Sequence, residues 1–237
     1  MKTVASRDNA AYKAMARLVA SGAERRRGGV SILDGAHLLG AFLDSGRKPE
    51  EVMVNRAGLE NAEIAALVDR SQPARVTLLA DAPLVLLLEE IQDPGNVGTL
   101  LRSAAAAGAG HVLLSPRCAF AWSPKVMRAA MGAHFAVNIV EGADLDEFLA
   151  RYRGTSVALD ARAEGSLYDL DLTKPAAFLI GNEGAGLSDA LLGAAQVRAR
   201  IPMPGSIESL NAATAGSICL FEAVRQRSIR AKSGGHR

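Results

Sequence analysis

Short apolar runs of strand length alternate with helical patterns from Leu84 to the carboxyl end, and this alternation limits the chain to few architectures. Leu84–Leu88, His111–Leu114, 136–140, 156–159 and Ala176–Ile180 are nearly continuous in aliphatic residues, as befits strands covered on both faces. Between them, 97–108, 124–131 and 145–152 carry helical spacing. Ser123-Pro124 opens the second of these helices with a capping residue and a proline at the first turn. Strands separated by helices predict an α/β domain with a mostly parallel sheet in three layers. Ligands of such sheets sit beyond the carboxyl ends of the strands.

Two glycine-containing turns fall at those ends. Gly181-Asn182-Glu183-Gly184-Ala185-Gly186 follows the run Ala176–Ile180. The second turn is within IPMPGSIESLNAATA, residues 201–215, where the alternating run 197–201 is stopped by Pro202, Pro204 and Gly205. Ser209 and Asn211 stand where a helix begins, and that helix is expected to reach Arg227 with Leu210, Thr214, Ser217, Phe221 and Val224 on one stripe. A bare polar loop beside a helix start suits a ligand held by backbone groups.

The spacing excludes the familiar nucleotide folds. Gly181, Gly184 and Gly186 read G-x-x-G-x-G rather than the dinucleotide fingerprint, and the next strand ends in Ile201-Pro202 without the acid that would hold a ribose. No Gly-Lys-Ser/Thr occurs, which removes a phosphate-cradling P-loop. Cys118 and Cys219 lie far apart and the four histidines are scattered, so neither a disulfide framework nor a metal site is expected. Upstream of the helix 97–108, Asp93-Pro94-Gly95-Asn96 is a turn with Asn96 as the expected cap. Arg102 is the single charge on that alanine-rich helix, and we read it as functional.

The first eighty residues read as a smaller α/β unit: helices over 9–23, 36–43 and 62–70, and strands over 30–33, 51–54 and 76–79. Ala11, Met15, Leu18 and Val19 are expected to face inward on the first helix. Asp81-Ala82-Pro83 marks the boundary, giving domains 1–80 and 81–237. Net charge is only +2, yet the first thirty residues and the tail beyond Glu222 are strongly basic. Arg25, Arg26 and Arg27, expected in a loop, are the best candidates to meet an RNA backbone. No apolar run approaches membrane-spanning length and the N-terminus lacks a signal core, so a cytoplasmic location is expected.

Three ordered segments together resemble the signature of the SpoU-type RNA ribose 2′-O-methyltransferases of the SPOUT class: DPGNVGTLLR with Asn96 and Arg102, IGNEGAGL with Asn182, Glu183 and Gly186, and IPMPGSIESLNAA with Ser209 and Asn211. The likeness spans about 84–227; residues before the boundary resemble, more loosely, the ribosomal-protein-like RNA-binding domain of many members. Asp34-Gly35 stands where Glu-Gly is commoner, and Ala130 where serine is usual.

The resemblance implies a C-terminal trefoil knot that forms the pocket for S-adenosylmethionine. It also implies cofactor contacts from Gly181, Asn182, Gly186, Ile201, Met203 and Leu210. Members are homodimers in which Arg102 would come from the facing protomer. Asn96, Glu183, Ser209 and Asn211 would orient loops and nucleotide. The function implied is 2′-O-methylation of a ribose in tRNA or rRNA. A catalytically inactive RNA- or ribosome-binding protein of the same fold is the alternative, disfavoured by the joint presence of Arg102, Asn182, Glu183 and Asn211.

Overall fold

The computed structural model describes residues 10–49, 52, 61–63 and 84–234. Three helices come first: α1 (Ala10–Ala20), α2 (Gly22–Gly28) and α3 (Ala36–Asp44). The expected single helix over 9–23 is broken at Ser21, whose hydroxyl accepts from Glu24 N at 3.2 Å and so starts a new helix. The expected basic loop is therefore helical and ends at Gly29 in the left-handed region (φ 62°). Residues 30–33 form no strand; they run irregularly across the body, where Ser31 Oγ donates to Trp122 O (3.2 Å). Met15 and Leu18 are half-buried, whereas Val19 is exposed. Most of the expected strand over 51–54 and of the helix over 62–70, the strand over 76–79 and the boundary at 81–83 lie outside the described residues.

The body is a six-stranded parallel sheet in the order β3-β2-β1-β5-β4-β6. Its elements are β1 (Leu84–Leu88), α4 (Pro94–Ala106), β2 (His111–Leu114), α5 (Pro124–Ala130), β3 (Asn138–Glu141), α6 (Leu145–Arg151), β4 (Thr155–Leu159), β5 (Ala176–Ile180), α7 (Asp189–Ala194), β6 (Val197–Ala199) and α8 (Ala212–Gly234). β1 and β5 are central and buried throughout. Their side chains alternate between faces. Leu84, Leu86 and Leu88 join α4, α5 and α8 in one core, while Val85 and Leu87 join α6 and α7 in the other. β3 starts at Asn138 rather than 136, because a 3₁₀ turn over Ala133–Phe135 claims the preceding residue through Ala136 N to Ala133 O.

Two helix starts matter for the site; that of α4 differs from expectation, and that of α8 falls at Asn211 as expected. Asp93, not Asn96, caps α4: its carboxylate accepts from Asn96 N at 2.8 Å, and Pro94 takes the first turn with its preset φ. The Asn96 side chain is thereby free for other partners. In α8, Asn211 Oδ1 accepts from Ala213 N (2.9 Å) and Thr214 N (3.2 Å). The face of α8 that enters the core carries Ala213, Ala215, Cys219, Leu220 and Ala223. The stripe of Leu210, Thr214, Ser217, Phe221 and Val224 lies mostly outside that face: Thr214 is exposed, and Leu210 and Phe221 are 39% and 47% exposed. Burial pushes the Cys219 thiol up to about 12, the mark of a packing cysteine.

Candidate functional site

β1 divides the sheet, since the chain leaves it toward β2 and β3 on one side and then crosses to form β4 and β5 on the other. That is the switch point at which parallel sheets open a crevice at their carboxyl edge. The loops after β1, β5 and β6 meet there.

The loop after β5 is a closed ring. Asn182 N donates to Gly186 O (3.0 Å) and Gly186 N to Asn182 O (2.9 Å), while Asn182 Oδ1 accepts from Gly184 N and Ala185 N. Gly186 turns the chain back at φ 73°. A Cβ on Gly181 would stand 2.2 Å from Gly186 C and Leu187 N, so only glycine lets the two ends of the ring touch. Asn182 Nδ2 donates to Glu90 O (2.8 Å) and anchors the ring on the loop after β1.

Glu183 extends from the ring as a clamp. Its Oε1 accepts from Asp93 N (3.1 Å) and Asn96 Nδ2 (3.0 Å), and its Oε2 from Gln92 N (3.3 Å). Asn96 Oδ1 in turn accepts from Asn211 Nδ2 at 2.9 Å. The amide of Asn96 thus faces a carboxylate with its NH₂ and an amide donor with its oxygen, and its orientation is fixed by both. Desolvation pushes the Glu183 carboxyl up, but the bonds from Asn96, its own backbone N–H, Asp93 and Gln92 outweigh it and leave its pKa below the usual value.

The structure therefore joins Asn96, Glu183 and Asn211, with Asn182 and the two glycines beside them. Ile201 is buried, Met203 half-buried, and Ser209 and Leu210 lie on the exposed loop before α8. Neither Ser209 nor Arg102 enters the cluster. Arg102 is exposed on α4, about 240° around the helix from Asn96 and about 9 Å further along it. Of the three N-terminal arginines, Arg25 is buried, with Nη1 donating to the carbonyls of Leu18 and Val19. Arg26 lies over the Phe120 ring and Arg27 pairs with Glu24, both solvent-facing.

Sequence reasoning passed over the residues that hold this loop from below. Glu89 Oε2 accepts from Ser188 N (2.7 Å), and Glu90 adopts a left-handed φ of 54° while its carboxylate pairs with Arg117. A left-handed glutamate leaves no periodic signal. The ring presents backbone groups between its glycines with Glu183 as the single charged side chain, a donor set that fits a zwitterionic nucleoside without a metal. Among the described residues no group of side chains is arranged to hold a metal ion, and no helix is long and apolar enough to cross a membrane.

A shallow groove of about 600 Å³ runs along α4 and α8 beside the cluster, lined by Asn96, Thr99, Asn211, Thr214, Ser217 and Phe221 among others. Ser103 Oγ and Ser217 Oγ, 2.7 Å apart, tie its two helices together.

Comparison with known proteins agrees with this arrangement. The model of the SpoU rRNA Methylase family matches residues 83–221. The 23S rRNA (guanosine(2553)-2′-O)-methyltransferase RlmP of Bacillus subtilis is 30% identical over 224 residues, covering 84% of this chain and 90% of that protein. The 23S rRNA (guanosine-2′-O-)-methyltransferase RlmB of Xylella fastidiosa is 39% identical over 149 residues, 62% of this chain and 60% of the relative. Other curated relatives are longer still, the chain spanning 48% of mouse mitochondrial rRNA methyltransferase 3. Among solved structures, the AdoMet-bound rRNA methyltransferase from Sinorhizobium meliloti superposes with a TM-score of 0.77 at 29% identity, over 94% of this chain and 97% of that one. The SpoU methyltransferase AviRb from Streptomyces viridochromogenes gives 0.75 at 26% identity, over 94% and 99%.

Proposed function

This chain belongs to the SpoU rRNA methylase family, and from that membership and the geometry above we propose that it is an S-adenosylmethionine-dependent methyltransferase acting on a ribose 2′-hydroxyl of rRNA or tRNA. The observation that carries the reading is the chain Asn211–Asn96–Glu183, which joins one side chain from each of three sequence motifs at the carboxyl edge of the sheet.

In this reading Gly181, Asn182 and Gly186 hold the cofactor through backbone groups, with Ile201, Met203 and Leu210 against its apolar parts. When bound, the cofactor supplies a methyl group on a sulfonium. Its transfer would form a C–O bond to the ribose oxygen as the S–C bond breaks in line and the hydroxyl proton leaves to water, so placing the hydroxyl carries most of the acceleration. Among the described residues no base stands there. Glu183 already accepts three hydrogen bonds and has a lowered pKa, and His134 is buried elsewhere with Nε2 on Ala121 O (2.7 Å), its pKa lowered by desolvation. Arg102 acts as a cation that grips the RNA phosphate and polarises the hydroxyl.

Arg102 faces away from its own cluster, which supports a homodimer in which each protomer lends it to the other. The open groove with exposed Phe221 on α8 is the surface that a second copy would cover. The C-terminal trefoil knot belongs to the same proposal: the chain would pass from edge strand β6 through the loops at the carboxyl edge to reach α8. Residues 1–80 would recognise RNA, with Arg26 and Arg27 on the surface, and 81–237 would carry out the transfer, in the cytoplasm. Incubation with labelled S-adenosylmethionine and rRNA or tRNA tests the reading. Label is expected on a ribose, and Arg102→Ala is expected to lose most of it while still binding cofactor. Full activity in that variant overturns the assignment of Arg102, and no transfer to any RNA overturns the function.

A further inference from the structure

A second cavity, of about 670 Å³, lies away from the methyl-donor loops, where the N-terminal helices meet the body. Its walls come from α2 and the irregular segment after it (Arg26, Ser31), from the loop after β2 (Cys118, Phe120, Trp122), and from Glu141 at the end of β3. It opens on the same carboxyl edge as the donor site, on the opposite side of β1.

The lining has three chemical parts. Phe120 and Trp122 offer half-buried aromatic surface, and Trp122 is held by its ring contact with His134 (centroids 4.9 Å). Arg26 lies over Phe120 at 5.2 Å, and the buried Arg25 adds a fixed positive charge beside it. Glu141 uses Oε1 to accept from Ala121 N (2.7 Å), while Oε2 has no hydrogen-bond partner among the described residues. A ligand matching all three is planar and aromatic, carries a phosphate, and presents N–H donors on the ring edge. Guanine offers two adjacent N–H donors on its Watson–Crick edge, which suits a carboxylate, and unpaired bases stack readily on aromatic side chains. The volume accommodates a whole nucleotide.

We propose that this cavity is a second RNA subsite, which takes one unpaired guanine nucleotide of the substrate on Phe120 and Trp122, with Glu141 Oε2 accepting from the base edge and Arg26 near its phosphate. The inference rests on the RNA reading above and adds to it a recognition element at the junction between the N-terminal helices and the sheet. A base bound there would orient the RNA relative to the donor loops from the far side of β1.

Trp122 is the single tryptophan of the chain, so its emission reports this cavity alone. The test titrates the full-length protein with the RNA UUGUU, with UUAUU, with GMP and with inorganic phosphate. UUGUU is expected to change the emission saturably and to bind about tenfold tighter than UUAUU. Glu141→Gln keeps an oxygen for Ala121 N but turns the free position into a donor, and is expected to erase that discrimination. Arg26→Ala is expected to weaken both RNAs alike. The subsite is overturned if UUGUU and UUAUU respond equally, if phosphate alone reproduces the change, if GMP binds tighter than UUGUU, or if Glu141→Gln discriminates as the wild type does. A separate calorimetric titration of wild-type protein with S-adenosylmethionine judges the methyltransferase reading, so the two failures are distinguishable.

Discussion

Removing the Glu183 carboxylate should weaken binding of the methyl donor without unfolding the protein. Glu183→Ala deletes acceptors for Asn96 Nδ2, Asp93 N and Gln92 N at 3.0, 3.1 and 3.3 Å. All three bonds are solvent-exposed, so the freed N–H groups rehydrate and each loss counts about 0.5–1 kcal/mol. The clamp as a whole then contributes roughly 2 kcal/mol to the closed arrangement of ring and helix start. If S-adenosylmethionine binds only that arrangement, its Kd rises by about 10- to 30-fold. Glu183→Gln retains an oxygen for Asp93 and Asn96 and loses only the longest bond, so about threefold is expected. Calorimetric titration with S-adenosylmethionine gives the affinities, and a thermal scan checks that the fold survives. The lowered pKa adds a pH arm. A carboxyl held below its ordinary value contributes fully above about 4.3 and loses its effect as pH falls through the lowered value. Donor affinity should therefore be flat from neutral pH to about 5 and fall only in stronger acid. An unchanged Kd in Glu183→Ala would refute the reasoning, because the ring would then be holding its shape without the clamp.

Three further outcomes follow from the same coordinates. Gly181→Ala sets a Cβ 2.2 Å from backbone atoms of Gly186 and Leu187 that have nowhere to move, so calorimetry should find donor binding lost. Met131 closes α5 in the left-handed region at φ 51° with its side chain 48% exposed; Met131→Gly should raise Tm by about 1–3 °C, as relief of that conformation exceeds the added chain entropy. If Arg102 serves the facing protomer, co-expressing Arg102→Ala with Gly181→Ala, whose own sites cannot bind the donor, should restore about a quarter of wild-type methyl transfer, since half of the dimers are mixed and one site in each is intact. No recovery would place Arg102 in its own protomer's site.

Much of the body could be read directly because burial on both faces leaves an unbroken aliphatic run. Leu84–Leu88 and Ala176–Ile180 are found as expected, and they are the two central strands. The edge strands have only partial cover, and β3 is correspondingly displaced by two residues at its start. The cap of α4 was assigned to the wrong member of Asp93 and Asn96, two residues equally able to cap; Pro94 at the first turn decides between them. The error has a functional side, since a capping Asn96 would have its side chain on its own backbone and could not bridge Glu183 and Asn211. In the N-terminal part, Ser21-Gly22-Ala23-Glu24 carries the Ser-x-x-Glu pattern of a helix start, and Glu24 N donates to Ser21 Oγ there. The bonds that anchor the Gly181–Gly186 ring on the loop after β1 leave no such local trace, because their partners lie some ninety positions away.

The stripe on α8 marks where periodicity itself runs out. Leu210, Thr214, Ser217, Phe221 and Val224 repeat as an apolar-leaning face should, yet the side that enters the core is the one with Ala213, Ala215, Cys219, Leu220 and Ala223. Small residues there let α8 approach closely: a Cβ on Gly216 would meet Leu100 Cδ2 at 2.4 Å. Two faces of one helix are therefore specified, one narrow and built of small residues for the fold, one bearing Phe221 and half-open to solvent. A helical period reports that a face is shielded from water without saying whether the shield is the same chain or another. In the proposed homodimer a second copy of the chain would cover the exposed aromatic beside Asn96 and Asn211, and Arg102, exposed and away from its own cluster, would be the residue that copy brings.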